Sequence, residues 1–369
     1  MQRRWRVRWR VRRRLRRLQL SAAITGVGLA WRPATALAIA ERADRGQLAF
    51  TEVIAEAIDP RRPPRALMEL VERGVAVIPH GVELSLGGAE PLDDDRLAHL
   101  AAVARVLRAP RVSEHVAFTR AGGASAGHLL PVPRTRAAMI ALVDHVRRAQ
   151  AALPVPLALE NIAAPLAWPD DATDEAAFLA ELCERTGAGL LLDVANLLGN
   201  CRNHGGDPVA ALDRFPLAHL AYVHVAGGAW AGRFWRDTHG HAVTDAALAL
   251  VAAIAARVPG APILLERDHA IPDRAALGAE LDAIAAARAT APVPRAAART
   301  PYLPATPPGE HGDRRRALAR DQRALVAALA TDAPPPRGLD AAELSEARAI
   351  VRSKRERVHD HAACHIVRA

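Results

Sequence analysis

The sequence predicts an α/β chain: a (β/α)8 TIM barrel followed by a C-terminal helical extension. Three observations predict it. Apolar runs of strand length alternate with helical stretches, eight times over, between residues 24 and 287. Half of the 369 residues are apolar while aromatics make up only 4%, a mix that suits repeated helix–strand packing better than a β-sandwich. One apolar run after another also ends in His, Asp or Glu, and a barrel gathers its strand ends into a single mouth. A doubly wound open sheet is the alternative.

In chain order, residues 24–31 form the first strand, an apolar run containing Gly26 and Gly28, and 34–45 a helix. Residues 48–56 are the second strand, with Glu52 and Glu56 near its end, and 64–73 an amphipathic helix. The third strand lies within 75–86, and the helix at 93–108 opens with acids that suit its dipole. RVSEHVAF at 111–118 is the fourth strand; Gly122, Gly123, Gly127 and Pro131 then mark a longer loop before a helix at 134–153. VPLALEN at 155–161 is the fifth strand, and the helix at 174–186 has Gly187 as its C-cap. GLLLD at 189–193 is the sixth, apolar enough for a buried parallel strand. A Gly- and Asn-rich loop carrying His204 leads to a short helix at 208–215. HLAYVHVA at 219–226 is the seventh strand, followed by a Gly- and Trp-rich loop at 227–240 and a helix at 243–257. PILLER at 262–267 is the eighth, and 274–287 the closing helix. The barrel domain thus spans 21–290. Repeated Pro makes 291–312 a linker. Helical stretches at 313–330 and 341–358, separated by APPPRG, make the extension at 313–369 a helical hairpin, a candidate interaction module.

The net charge of +9 belongs to one tail, since residues 1–18 hold ten Arg and no acid and the rest is near neutral. Residues 1–20 are read as a disordered extension or leader. Such arms bind anions without sequence information, so no specific nucleic-acid partner is expected. The apolar segment at 20–30 is too short and Gly-broken to span a membrane, no secretory signal is convincing, and Cys183, Cys201 and Cys364 build no disulfide framework. No membrane association and a cytoplasmic location are expected.

The polar groups at the strand ends carry the chemistry. They are His80, His115, Glu160 beside Asn161, Asp193 with Asn196 and later His204, His224, Asp237 and His239, and Glu266 with Asp268. Each alone has an ordinary explanation: a hydrogen-bonded histidine, half of an ion pair, a turn cap. Together, in one mouth, so many carboxylates would repel and resist ionisation. Divalent ions resolve the conflict by holding imidazole nitrogen and carboxylate oxygen together. The ligands exceed what one ion needs, which implies two or three, with Glu160 or Glu266 bridging. His99 and His219 fit no pattern, His241 is second to the centre or merely loop, and Cys201 is a small apolar filler. Trp230, Phe234 and Trp235 line a substrate cleft or bury their own loop. His359, His361, Cys364 and His365 lie together near the end, in a spacing that matches no standard zinc pattern.

The blocks HGVELSLGG, SEHVAF, HLLPVPRT, LENIAAP, LLDVANLLGNCRNHG, VHVAGG, RDTHGHAV and LLERDHAIP resemble, in order, those of the multinuclear non-heme iron-dependent oxidative enzymes, formerly a domain of unknown function. The resemblance runs from about residue 26 to 280. It implies a barrel related to the xylose isomerase and endonuclease IV superfamily. It also implies metal ligands at His80, His115, Glu160, Asp193, Asn196, His224, Asp237, His239 and Glu266, with His204 and Asp268 as candidate catalytic residues. The cofactor implied is two or three iron ions of mixed valence, with dioxygen as co-substrate. The activity implied is oxidative modification of a ribosomally made precursor peptide, at cysteine, with a peptide-recognition protein as candidate partner; the helical extension could serve or replace that partner. The sequence departs from the family at Ala195, where Asn is frequent, and at Arg134, where an aromatic is frequent, which bears on substrate choice.

Other chemistries on the same barrel are a divalent-metal hydrolase or nuclease and a sugar isomerase. Asn196 stands where the superfamily's Asp-x-x-His pattern places a histidine, and the barrel lacks the basic surface a nuclease needs. The barrel also contains no lysine of the kind sugar isomerases use.

Overall fold

The computed structural model describes residues 24–289, 311–331 and 333–366, with side chains described except at 311 and 356–366. The arginine-rich tail, residues 291–310 of the Pro-rich linker, and the side chains of His359, His361, Cys364 and His365 lie outside the described residues.

Eight parallel strands close into a barrel. In chain order they are β1 (Val27–Ala30), β2 (Phe50–Ile54), β3 (Ala76–Gly81), β4 (Val112–His115), β7 (Leu157–Glu160), β8 (Gly189–Asp193), β9 (Leu220–Val225) and β12 (Ile263–Leu265). Each pairs with the next in that order, and β1 meets β12 with Val27 opposite Ile263. Helices α1 (Ala36–Asp44), α2 (Arg65–Glu72), α3 (Asp94–Val106), α4 (Arg136–Ala152), α5 (Glu175–Thr186), α6 (Val194–His204), the short α7 (Pro208–Leu212), α8 (Asp245–Arg257) and α9 (Arg274–Arg288) lie between them. Local chemistry sets their ends. The Asp93 side chain accepts from the backbone N–H groups of Asp95 and Arg96 to cap α3. The Asp174 side chain does the same for α5, and Gly187 ends that helix at φ +69°, a left-handed position that suits glycine.

The barrel interior is layered by the two-residue period of its strands. Ala30, Phe50, Ile78, Ala158, Leu191, Tyr222 and Leu264 form a buried plug of their own. Two positions further along the same strands stand Arg32, Glu52, His80, Glu160, Asp193, His224 and Glu266. The remaining strand, β4, contributes Ser113 and His115 at the same spacing. An apolar floor therefore carries a polar layer at the carboxyl end of the strands. The outward residues, such as Leu190 and Leu192, join the larger core shared with the helices.

Two segments expected as loops are β-hairpins. β5 (Ala117–Ala121) pairs with β6 (Ala124–Pro131), turning at Gly122 and Gly123 with φ +62° and +76°. Consecutive positive φ is the turn that matches strand twist, and glycine adopts it freely. β10 (Gly227–Ala231) likewise pairs with β11 (Phe234–His241), turning at Gly232. A third difference is larger. The stretch expected as a loop carrying His204 is helix α6, capped by Asp193 and anchored by buried Leu197 and Leu198.

The extension forms α10 (His311–Ala330) and α11 (Ala341–Ile366), so residues 311 and 312, expected in the linker, already belong to a helix. Leu318, Leu325, Val326 and Leu329 of α10, with Leu344, Ala347 and Val351 of α11, are continuous with the barrel's outer core. The buried Gln322 side chain donates to the Gly87 carbonyl at 2.8 Å and accepts from the Ala89 N–H at 2.7 Å. Among the described residues no helix is long and apolar enough to cross a membrane.

Candidate metal centre

Seven strand ends and one hairpin converge at the mouth. His80 Nε2 lies 3.4 Å and His115 Nε2 3.3 Å from Glu160 Oε2. Across the barrel, His224 Nδ1 lies 3.3 Å from Glu160 Oε1, 3.1 Å from Glu266 Oε2 and 4.0 Å from Asp193 Oδ2. His239 Nδ1 sits 3.4 Å from Glu266 Oε2 and 3.2 Å from Asp268 Oδ2, and its Nε2 meets Asp237. Three overlapping groups, His80–His115–Glu160, Glu160–Asp193–His224 and Asp193–His239–Glu266, each bring three donor atoms within 4.8 Å of one another, as does Glu52–His224–Glu266.

These close approaches are not hydrogen bonds. Glu160 Oε2, Asp193 Oδ2, Asp237 Oδ1, His224 Nδ1 and both nitrogens of His239 are buried without a hydrogen-bond partner. Leaving one such atom unsatisfied costs on the order of 1–3 kcal/mol, more when charged. Six together, all borne by metal-ligating residue types, suit donors that surround a cation. Glu160 has one oxygen toward His80 and His115 and the other toward His224, the arrangement of a bridging carboxylate.

The electrostatics agree. Burial works against ionising Glu160, but His115, His224 and His80 overcome it and hold the carboxyl down at about 2. Burial likewise opposes protonating His115, yet Glu160, then Glu114 and Glu266, raise it to about 9. Asp193 goes the other way. Burial, joined by Asp237 and Glu160, pushes it well above the usual carboxylate range, against the pull of His239 and His224. The site thus holds more negative charge than its histidines neutralise, and added positive charge would relieve it.

The hairpin β10–β11 delivers its two donors through a register shift at Gly227–Gly228, which pairs Gly227 with His241 and Gly228 with Asp237. Residues 238–240 bulge out, and His239 adopts φ +52°, a strained conformation for a residue with a Cβ. The Asp268 N–H donates to the His239 carbonyl at 3.0 Å and braces it. A Cβ on Gly240 would stand 2.4 Å from the His269 ring, so a side chain there would displace that ring.

The remaining sequence-derived candidates are placed as follows. Asp193 spends Oδ1 on the Asn196 N–H at 2.7 Å and leaves Oδ2 to the centre. Asn196 is buried beside it, its amide donating to the Asn161 carbonyl at 3.0 Å. Asp268 is at the rim, paired with Arg32 as well as with His239. His204 is not brought into the cluster. Its Nε2 lies 2.8 Å from the Ala164 carbonyl and its Nδ1 3.2 Å from Glu343 on α11. Three buried residues at the centre were not among the sequence-derived candidates: Glu52, Ser113 and Tyr222. A signal for Glu52 exists, since it follows inward Phe50 by two residues, as His80 follows Ile78.

Residues 26–289 match the family model described as RiPP precursor modification enzyme MbnB/TglH/ChrH, and residues 319–369 match the SCO6045-like C-terminal domain. A UPF0276 protein of Streptomyces avermitilis is 50% identical over 266 residues, covering 70% of this chain and 54% of its own length. This chain therefore spans about half the length of that relative. A UPF0276 protein of Caulobacter vibrioides is 37% identical over 259 residues, covering 70% of this chain and 92% of its own. Among solved structures, D-psicose 3-epimerase from Clostridium cellulolyticum H10 aligns with 73% of this chain and 100% of its own at 12% identity and a TM-score of 0.46. A Thermus thermophilus protein soaked with zinc chloride aligns with 70% and 98% at 22% identity and a TM-score of 0.44.

Proposed function

The chain belongs to the MbnB/TglH/ChrH family of RiPP precursor modification enzymes, and on that premise we propose that it is an iron-dependent oxidoreductase that modifies a precursor peptide, at cysteine, with dioxygen as co-substrate. The single observation that carries the metal-centre reading is the set of buried nitrogen and oxygen atoms at the mouth that lack hydrogen-bond partners. Imidazole mixed with carboxylate suits iron among other transition ions, and the family supplies the preference for iron.

His80, His115 and Glu160 would hold one ion, and Asp193, His224, His239, Asp237 and Glu266 would hold the others, with Glu160 or Glu266 shared. Bound iron would supply a Lewis acid for the thiolate and a path for its electrons to dioxygen, the oxidant. The protein does the rest. The plug beneath the polar layer closes the barrel to water from below. Asp268, half-exposed, stays an anion despite its partial desolvation and the nearby Glu266 carboxylate, because His239 and Arg32 favour its charge; it holds His239 and Arg32 at the rim, where a peptide arrives. Asn196 braces Asp193 and the start of α6. His204 is assigned no chemical step, since Ala164 and Glu343 occupy its ring.

The test is anaerobic purification with metal analysis and Mössbauer or EPR spectroscopy. Iron at one or more equivalents per chain, with a mixed-valence signal, is expected. Iron below one equivalent with zinc filling the site would sink the oxidative assignment.

A further inference from the structure

Beneath the candidate ligands lies a chain of buried polar groups that the proposed reaction does not use. Tyr222 Oη is 2.6 Å from Glu52 Oε2 and 2.6 Å from Ser113 Oγ. Ser113 Oγ is 2.8 Å from His80 Nδ1. Glu52 Oε2 is also 3.0 Å from His224 Nε2. Glu52, Ser113 and His224 are fully buried, and Tyr222 and His80 nearly so. The chain thus joins the far nitrogens of two histidines on opposite sides of the centre.

With Glu52 as a carboxylate, the proton order of the chain follows from valence. A carboxylate only accepts, so Tyr222 and His224 Nε2–H both donate to Glu52. Tyr222, having donated its single proton, accepts from Ser113. Ser113, having spent its own, accepts from His80 Nδ1–H. Each imidazole is left with one free lone pair, on His80 Nε2 and His224 Nδ1. Those are the two nitrogens that face Glu160.

We propose that Glu52, acting through Tyr222 and Ser113, is a positioning residue that fixes the tautomers of His80 and His224 and so selects the nitrogen each presents to a bound ion. This rests on the metal-centre reading above. Glu52 also stands within reach of His224 and Glu266 as a potential ligand. Its Oε2 is engaged by two donors while its Oε1 is buried without a hydrogen-bond partner, so the ion count of Glu52→Ala separates orientation from ligation.

The test is titration of the metal-free full chain with Co(II), anaerobically, by chelator competition and visible absorption, alongside thermal melts of the metal-free protein. Wild type is expected to bind. Glu52→Ala is expected to bind the same number of ions about 10–100-fold more weakly, beyond whatever the loss of its two buried hydrogen bonds does to the melting temperature. Glu52→Gln keeps an acceptor oxygen and is expected to recover most of that loss. Tyr222→Phe removes one hydroxyl, leaves His224 anchored, and is expected to lose less than Glu52→Ala. Affinity of Glu52→Ala within twofold of wild type would overturn the proposal, as would a Glu52→Gln no better than Ala. Reduced stoichiometry in Glu52→Ala would make Glu52 a ligand and overturn it too. Should Glu52→Ala fail to fold, unchanged affinity in Tyr222→Phe and Glu52→Gln alike would do the same. A wild-type chain that takes up no ion would instead defeat the metal centre itself, and the positioning role with it.

Discussion

Two buried charge clusters in this molecule follow opposite rules. At the interface of α4 and α5, Arg136 pairs with Glu181, and Arg185 Nε reaches the same carboxylate at 2.6 Å. Two guanidinium groups meet one carboxylate, so the negative charge is paired from within the chain. At the mouth, the carboxylates of Glu52, Glu160, Asp193, Asp237, Glu266 and Asp268 share Arg32 and four histidines. Several of their atoms have no hydrogen-bond partner. Burying charge is costly unless it is paired. The first cluster pairs it from within the chain and serves stability. The second is short of positive charge and fits a centre completed by ions.

Breaking each cluster separately tests that contrast. The largest effect is expected at Glu160. Glu160→Ala should lose bound metal and slow peptide modification by about a thousandfold or more, roughly 4 kcal/mol of barrier, read by metal analysis and mass spectrometry of the peptide. His115→Ala and Glu266→Ala should do likewise, and unchanged metal content in all three would refute the ligand set. Next comes Glu181→Ala, which takes away the carboxylate that Arg136 and Arg185 share. It should cost about 3–5 kcal/mol in denaturant unfolding while metal per folded chain stays constant. A Glu181→Ala chain that loses metal but not stability would erase the distinction.

A smaller effect separates burial from pairing. Burial raises the Glu175 carboxyl to about 7, against the opposing pull of Arg134 and Asn200. Its folded value lies above its unfolded one, so the folded state binds the extra proton. That stabilisation is complete below about pH 4.5 and is lost as pH rises through about 7. Glu175→Gln should therefore match wild type near pH 4.5 and exceed it at pH 8 by about 3 kcal/mol. A difference that stays flat across that range counts against the assignment. The smallest effect is expected at Glu346, which pairs with Arg236 at 2.5 Å near the surface. Glu346→Gln should cost at most about 1 kcal/mol, less at high salt; a loss of several would mean α11 is held mainly through that pair.

The layout of the polar layer was legible because the strands are short, apolar and strictly alternating. Residues 189–193 form β8 as expected, and Asp193 falls where an inward residue belongs. Glu52 stands near the end of the second strand in the sequence, but nothing in FTEVI alone sets it with the donors until the barrel closes around it. The stretch from Val194 to His204 looked like a loop for its Asn and Gly content. Its helix depends on the Asp193 cap and on Leu197 and Leu198 finding a core. His204 shows the limit most clearly, since its partner Glu343 is 139 positions away on another element. The hairpins were legible in principle, with Gly122–Gly123 between alternating residues, but glycine-rich stretches read equally well as open loops.

The seam between β1 and β12 has a consequence for how the protein comes into being. Arg32 leaves the first barrel strand and meets Glu266 at the end of the last, 234 positions later. Contacts of such long range form slowly, because the loop entropy must be overcome before they are gained. Until the seam shuts, Glu266 and Asp268 are absent from the mouth. An ion that takes Glu266 as a ligand can therefore bind only to the finished chain, where it would slow unfolding rather than hasten the early stages of folding.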